Sequence, residues 1–177
     1  MKMNVNIRKG TMEDADEISA LYDTVNDYFE GHTNYPGWLK GIYPIREDAL
    51  NGIKNGGLYV AEADGKIAGT LILSHEPEKA YHGVEWKKEL TYEKVFVIYT
   101  FAVLPEYFGK GIGTKLLEAA EKAAGENGIE ALRLDVLEGN TPAIKLYEKC
   151  GFEYIDTVDL GYGKYGLDAF KLYEKLI

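Results

Sequence analysis

The sequence predicts a single α/β domain, and three observations carry that prediction. Strand and helix signals alternate along the chain in the order β-α-α-β-β-β-α-β-α-β-β, with no linker or repeat between them. The longest apolar run, Val95 to Leu104 (VFVIYTFAVL), suits a strand buried on both faces, and Pro105 ends it. A glycine-rich turn from Phe108 to Thr114 then opens an amphipathic helix. At 177 residues and 19.8 kDa the chain fits one domain. A chain of this size buries about 70% of its unfolded surface and needs no disulfide or metal staple.

Each element has its own local signal. Val5 and Ile7 alternate with polar neighbours as a short first strand. Thr11 precedes Asp14 by three, a capping-box spacing, ahead of Ile18, Leu21, Tyr22, Val25 and Phe29 at helical intervals. Gly31 to Tyr43 holds His32, Tyr35, Pro36, Trp38 and Tyr43, and predicts an aromatic loop. Pro44 opens a second helix to about Lys54, stopped by Asn55-Gly56-Gly57. Leu58 to Ala63 and Ile67 to Ser74 flank Asp64-Gly65, a two-residue hairpin signal. His75 to Lys94 is polar and aromatic and declares no element.

Downstream, Ile112, Leu116, Leu117, Ala120 and Ala124 mark a helix that stops at Asn127-Gly128. Ala131 to Leu137 is a further strand. Asn140 caps a helix carrying Ala143, Ile144, Leu146 and Tyr147, which ends at Gly151. Phe152 to Leu160 and Ala169 to Leu176 complete the set, separated by Gly161 to Gly166.

Composition removes several function classes. Twenty basic residues against 29 acidic ones leave a net charge of −9. Such a chain lacks the basic face that phosphate-backbone binding or an anionic membrane surface requires. Neither nucleic acid nor membrane is an expected partner. Cys150 is the only cysteine, so no intrachain disulfide or thiolate-rich metal site can form. His32, His75 and His82 have no metal-ligand spacing. The N-terminus has no apolar h-region and no run approaches a membrane span, which predicts a cytoplasmic protein.

The turn reads Phe108-Gly109-Lys110-Gly111-Ile112-Gly113-Thr114. Glycines at alternate positions let backbone N–H groups approach a ligand closely, and the helix N-terminus adds partial positive charge that favours phosphate. Lys110 brings a full charge nearby. The other reading is a tight turn whose glycines serve geometry alone. A P-loop requires GxxxxGK(S/T), which is missing, and the GxGxxG fingerprint fails at Thr114 or Leu116.

These residues resemble the GNAT family of acetyl-CoA-dependent N-acetyltransferases. The family's Arg/Gln-x-x-Gly-x-Gly/Ala motif has its Gly-x-Gly on Gly111, Ile112 and Gly113. Asn140 through Phe152 (NTPAIKLYEKCGF) is similar to the family's Asn…Ala…Leu-Tyr…Gly-Phe segment. The resemblance extends in outline from residue 4 to 176 and is strongest from Val95 to Phe152. It implies a mixed, mostly antiparallel central sheet with a splayed parallel strand pair, flanked by helices. It also implies one domain over 1–177, with a cofactor-binding core at about 95–152 and acceptor-side loops at about 28–45 and 75–94. The donor co-substrate would be acetyl-CoA, with no metal.

The resemblance assigns roles residue by residue. The edge formed by Phe101, Ala102 and Val103 would bond the pantetheine arm through its backbone. Backbone N–H groups of Phe108, Gly109, Lys110, Gly111, Ile112, Gly113 and Thr114 would hold the pyrophosphate. Asn140 would contact the pantetheine or a water, and a capping role is equally compatible. Tyr147 would stand beside the sulfur as general acid, since a phenol with pKa near 10 is protonated at neutral pH. The N–H of Val103 could polarise the thioester oxygen. Phe108 departs from the family's Gln or Arg, so that side-chain contact is lost while the backbone contacts need not be.

No carboxylate lies in Val95 to Leu104, where many members place the base. Glu62, Glu76, Glu85 and Glu93 lie near strand ends, with surface solvation the simpler fate of each. Cys150 has no neighbouring histidine and reads as a small apolar residue at a helix end, which favours direct transfer in a ternary complex. The acceptor-side loops combine aromatic rings with Glu76, Glu78, Glu85 and Glu89, a chemistry suited to a cationic amine. A small-molecule amine is expected ahead of a protein acceptor, and a homodimer through the last strands is compatible. The alternatives are a non-catalytic acyl-CoA-binding or sensor module of the same fold, and an unrelated nucleotide-binding α/β protein.

Overall fold

A computed structural model describes residues 3–177. The first strand, β1 (Val5–Lys9), leads into a 3-10 turn at Met12–Asp14. There the Asp14 carboxylate accepts from the Thr11 N–H at 2.7 Å and from two Arg8 guanidinium nitrogens at 2.7 and 2.8 Å. Arg8 accordingly holds the Asp14 carboxyl down at about 2. This cap sends the chain into α1 (Ala15–Glu30), which buries Ile18, Leu21, Tyr22 and Val25.

The second helix, α2 (Arg46–Lys54), starts later than Pro44. Ile45 is extended at φ −125°, and its N–H is taken by the Asp48 carboxylate at 2.8 Å, so the helix begins only behind that cap. β2 (Leu58–Ala63) and β3 (Lys66–Ser74) meet at Asp64-Gly65, with φ +53° and +77°, the signs a type I′ turn needs. Short 3-10 turns at Lys79–Gly83 and Tyr92–Lys94 punctuate the segment before β4 (Val95–Val103).

Then follow α3 (Ile112–Glu126), β5 (Ala131–Leu137), α4 (Thr141–Lys149), β6 (Glu153–Val158) and β7 (Phe170–Leu176). β6 is shorter at both ends than the apolar pattern predicts. Phe152 donates its N–H to the Tyr147 carbonyl at 3.0 Å and so belongs to the α4 cap. Gly161 bonds the Asp159 carboxylate at 2.8 Å, an Asx turn that ends the strand at the other side.

The strands follow the order β1-β2-β3-β4-β5-β7-β6. β1–β2, β2–β3, β5–β7 and β7–β6 are antiparallel, while β4–β5 is parallel, so the sheet is mixed and mostly antiparallel. The β4–β5 register runs from Val95↔Ala131 to Val97↔Arg133.

The chain forms two compact units. The first holds the chain to Asn34, Trp38–Leu73 and Tyr99–Ala120; the second holds Tyr35–Gly37, Ser74–Ile98 and Glu121–Ile177. Ile18, Leu58, Val60, Leu71, Ile112 and Leu116 are core residues of the first. Leu132, Leu134 and Leu172 are core residues of the second, together with a fully buried Arg133 and Glu174. Among the described residues no helix is long and apolar enough to cross a membrane.

Candidate active site

In the first unit, the chain after β4 is drawn into a tight outward turn. Leu104 N–H bonds the Ala68 carbonyl at 2.8 Å, and the Tyr107 hydroxyl donates to Asp64 at 2.9 Å. Phe108 and Lys110 donate backwards to Pro105 and Tyr107, closing the turn. Gly109 and Gly111 lie at φ +73° and +87°, and a Cβ at either would meet nothing within 4 Å. The first helical bond of α3 runs from Lys115 N–H to Gly111 O at 3.1 Å. The amides of Ile112, Gly113 and Thr114 therefore precede the helical ladder and carry its positive end. Ile112 itself is buried and pins the turn from beneath, while Phe108 to Gly111 are exposed. Open backbone donors with no Cβ over them fit a pyrophosphate.

The Lys110 ammonium lies 5.5 Å over the Tyr107 ring. Phe108 packs edge-on to Tyr28 at 5.3 Å and lies 6.2 Å from Phe29. Its ring thus fastens the turn to the last turns of α1, a role the family's polar residue would not fill.

In β4, Phe101 and Val103 are half-buried and Ala102 is buried. Burial alternates along the strand but shifts phase at Val97–Ile98, so the strand is less fully covered than its apolar run predicts. Thr100 then adopts φ +50°, a strained conformation for a β-branched residue. Its hydroxyl lies 2.5 Å from that of Tyr43, whose carbonyl accepts from Asn26 Nδ2 at 3.3 Å. Nothing in the sequence marks this irregularity.

In the second unit, Asn140 Oδ1 accepts from the Ala143 N–H at 3.3 Å and so caps α4. Tyr147 is buried on that helix, with ring contacts to Phe152 at 5.8 Å and Tyr173 at 6.4 Å. Cys150 is half-buried at the helix C-cap, less covered than a core residue, and its carbonyl accepts from Lys175 Nζ at 2.7 Å.

The sequence reasoning did not single out Asp135, and the structure makes it the notable carboxylate. It lies on the same face of β5 as Arg133, two residues away. The Tyr81 hydroxyl donates to Asp135 Oδ2 at 2.5 Å. Burial pushes the Asp135 carboxyl up to about 6; the Tyr81 hydrogen bond pulls against that, and the Glu78 charge adds to it. Of the other carboxylates, Glu62 is bound by Arg8 Nε at 2.6 Å, while Glu76, Glu85, Glu89 and Glu93 are exposed. Glu78 is half-buried and accepts from the Tyr162 hydroxyl at 3.2 Å. Among the described residues, no group of three or more histidine, cysteine or acidic side chains could hold a metal ion.

The architecture is that of an α/β protein with an outward glycine turn at the start of the helix that follows β4. The chain belongs to the acetyltransferase (GNAT) family, whose model matches residues 18–152. It is 35% identical over 113 residues to an N-alpha-acetyltransferase of Sulfurisphaera tokodaii, a match covering 63% of this chain and 65% of that protein. A GNAT-family acetyltransferase structure from Streptococcus agalactiae shares the fold with a TM-score of 0.82. That pair is 20% identical, covering 98% of this chain and 95% of the other. The Salmonella typhimurium protein yncA, solved with its cofactor acetyl-CoA, has a TM-score of 0.72 at 18% identity, covering 98% of this chain and 94% of that one.

Proposed function

We propose that this protein, as one domain spanning the chain, transfers an acetyl group from acetyl-CoA to the primary amine of a small cationic molecule. The observation that carries the reading is the outward glycine turn at the start of α3, whose leading amides lie ahead of the helical ladder. Acetyl-CoA supplies a thioester carbonyl and a thiolate leaving group when bound. The backbone N–H groups of the Phe108–Thr114 turn hold the pyrophosphate, other than those of Phe108 and Lys110, which are spent on closing the turn. The edge from Phe101 to Val103 bonds the pantetheine, and Asn140 contacts the pantetheine or a water.

The acceptor amine attacks the thioester carbonyl carbon directly in its neutral, deprotonated form, so that a C–N bond forms and the C–S bond breaks. Asp135 takes the proton that leaves the nitrogen, and Tyr147 gives its phenolic proton to the departing sulfur. A carboxyl held near 6 by burial is a fitting acceptor, because it is ionised at neutral pH yet basic enough to hold a proton. The acidic and aromatic side chains of 75–94 favour a cationic acceptor. A second reading, a peptide α-amine as acceptor, is favoured by the name of the Sulfurisphaera tokodaii relative.

Calorimetry with acetyl-CoA, using ATP and NAD as controls, tests the donor site. Thiol release across a panel of small amines and peptide N-termini tests the transfer. Acetyl-CoA binding with release on a small amine supports the proposal, and release on peptides alone supports the second reading. Binding without release on any acceptor indicates a sensor, and no binding at all overturns the donor site.

A further inference from the structure

We propose that Tyr81 is a positioning residue for the proton-accepting step: its hydroxyl orients the Asp135 carboxylate, and Trp86, seated on the buried Arg133–Glu174 pair, holds Tyr81 in place. The inference rests on the reading of Asp135 as proton acceptor.

Tyr81 is fully buried, in a segment whose only regular structure is two 3-10 turns. Such a segment takes its shape from side-chain anchors, and here the anchors are unusually polar. Arg133 and Glu174 face each other across the β5–β7 ladder and pair at 2.8 Å with almost no exposure. The guanidinium also donates to the Tyr92 hydroxyl at 3.0 Å and to the Lys88 carbonyl at 2.8 Å. The second oxygen of Glu174 accepts from the Lys87 N–H at 2.9 Å.

A buried ion pair seldom adds net stability over apolar packing. This one spends its remaining hydrogen bonds on residues 87, 88 and 92, so it gives that segment a fixed course.

Trp86 transmits the anchorage. Its ring lies 4.3 Å from the Arg133 guanidinium, its Nε1 donates to the Tyr81 carbonyl at 3.0 Å, and the two rings lie 5.3 Å apart. Tyr81 then donates to Asp135 Oδ2. The carboxylate is thereby fixed in orientation by that oxygen. The titratable groups facing Asp135 are Tyr81 and Glu78 from the segment before β4, and Tyr162 from the β6–β7 connection.

Removing the Tyr81 hydroxyl deletes a donor that favours the ionised carboxylate, so the Asp135 proton is held to higher pH. The test compares wild type, Tyr81→Phe, Trp86→Phe and Asp135→Asn. Carbon-13 NMR follows the Asp135 carboxyl, assigned by its loss in Asp135→Asn, alongside the pH profile of kcat/KM on one amine. In Tyr81→Phe the titration and the acidic limb should both move to higher pH by about one unit, the order expected for losing one hydrogen bond to a charged group. Trp86→Phe should move them less, in the same direction, and serves as the comparison if Tyr81→Phe does not fold.

A titration unmoved in Tyr81→Phe or, where that variant does not fold, in Trp86→Phe, with Asp135→Asn inactive, overturns the positioning role alone. An Asp135→Asn variant with wild-type rate and pH profile overturns the proton-acceptor reading and this inference with it.

Discussion

The turn before α3 and the polar face of β5 are built in opposite ways. The turn offers backbone: glycines at positive φ, exposed amides, and one buried anchor, Ile112. The β5 face offers side chains: Arg133 and Asp135, each braced by residues from distant parts of the chain. A backbone site tolerates changes of side chain but not of backbone freedom, which is how Phe108 can stand where the family has Gln or Arg. A side-chain site has the reverse sensitivity, because each polar group depends on its partner. Donor binding and proton transfer should therefore fail independently.

The largest expected effect is on chemistry. Tyr147→Phe should lower kcat about 10²–10⁴-fold, the range for losing a general acid, with acetyl-CoA affinity little changed. Steady-state kinetics beside Cys150→Ala, expected to retain most activity, would separate direct transfer from an acetyl-cysteine route. An isolable acetyl-enzyme would break the comparison.

Next comes the brace beneath β5. Arg133→Met leaves Glu174 buried and uncompensated and should cost about 3–5 kcal/mol, read as a lower denaturant midpoint. Arg133→Met with Glu174→Leu should recover much of that stability.

For the turn, Gly111→Asp combines backbone strain at φ +87° with a negative charge at the proposed phosphate site. Acetyl-CoA affinity should fall on the order of 100-fold by calorimetry, with the loss about 3 kcal/mol. Phe108→Ala removes ring contacts worth about 0.5–1.5 kcal/mol and should shift the affinity by less than tenfold. Equal losses from both variants would mean that the turn depends on the Phe108 side chain after all.

These two regions also differ in how far the sequence discloses them. The turn is legible because its determinants are contiguous: a proline stop, alternate glycines and an amphipathic helix lie within twenty residues. The order of strands and helices along the chain is readable for the same reason, apart from the start of α2 and the ends of β6, which hang on single caps at Asp48, Tyr147 and Asp159.

Asp135 was not legible, because Tyr81 precedes it by 54 residues and Glu174 follows Arg133 by 41. A signal was nonetheless present. Arg133 and Asp135 occupy alternate positions of ALRLDVL, where a strand otherwise apolar implies burial, and buried charges require partners. Thr100 offers no such signal, since its left-handed conformation is held in company with Tyr43, 57 residues earlier.

The most direct test is Asp135→Asn, measured at once for acetyl-CoA affinity and for turnover against pH. The account predicts donor affinity within about twofold of wild type and a kcat lower by about 10²–10⁴-fold. In the wild type, the rate should decline as pH falls through about 6, because the carboxylate must be ionised to take the proton. Undiminished turnover in Asp135→Asn would contradict the division of labour, as would a joint collapse of turnover and acetyl-CoA binding in the folded variant.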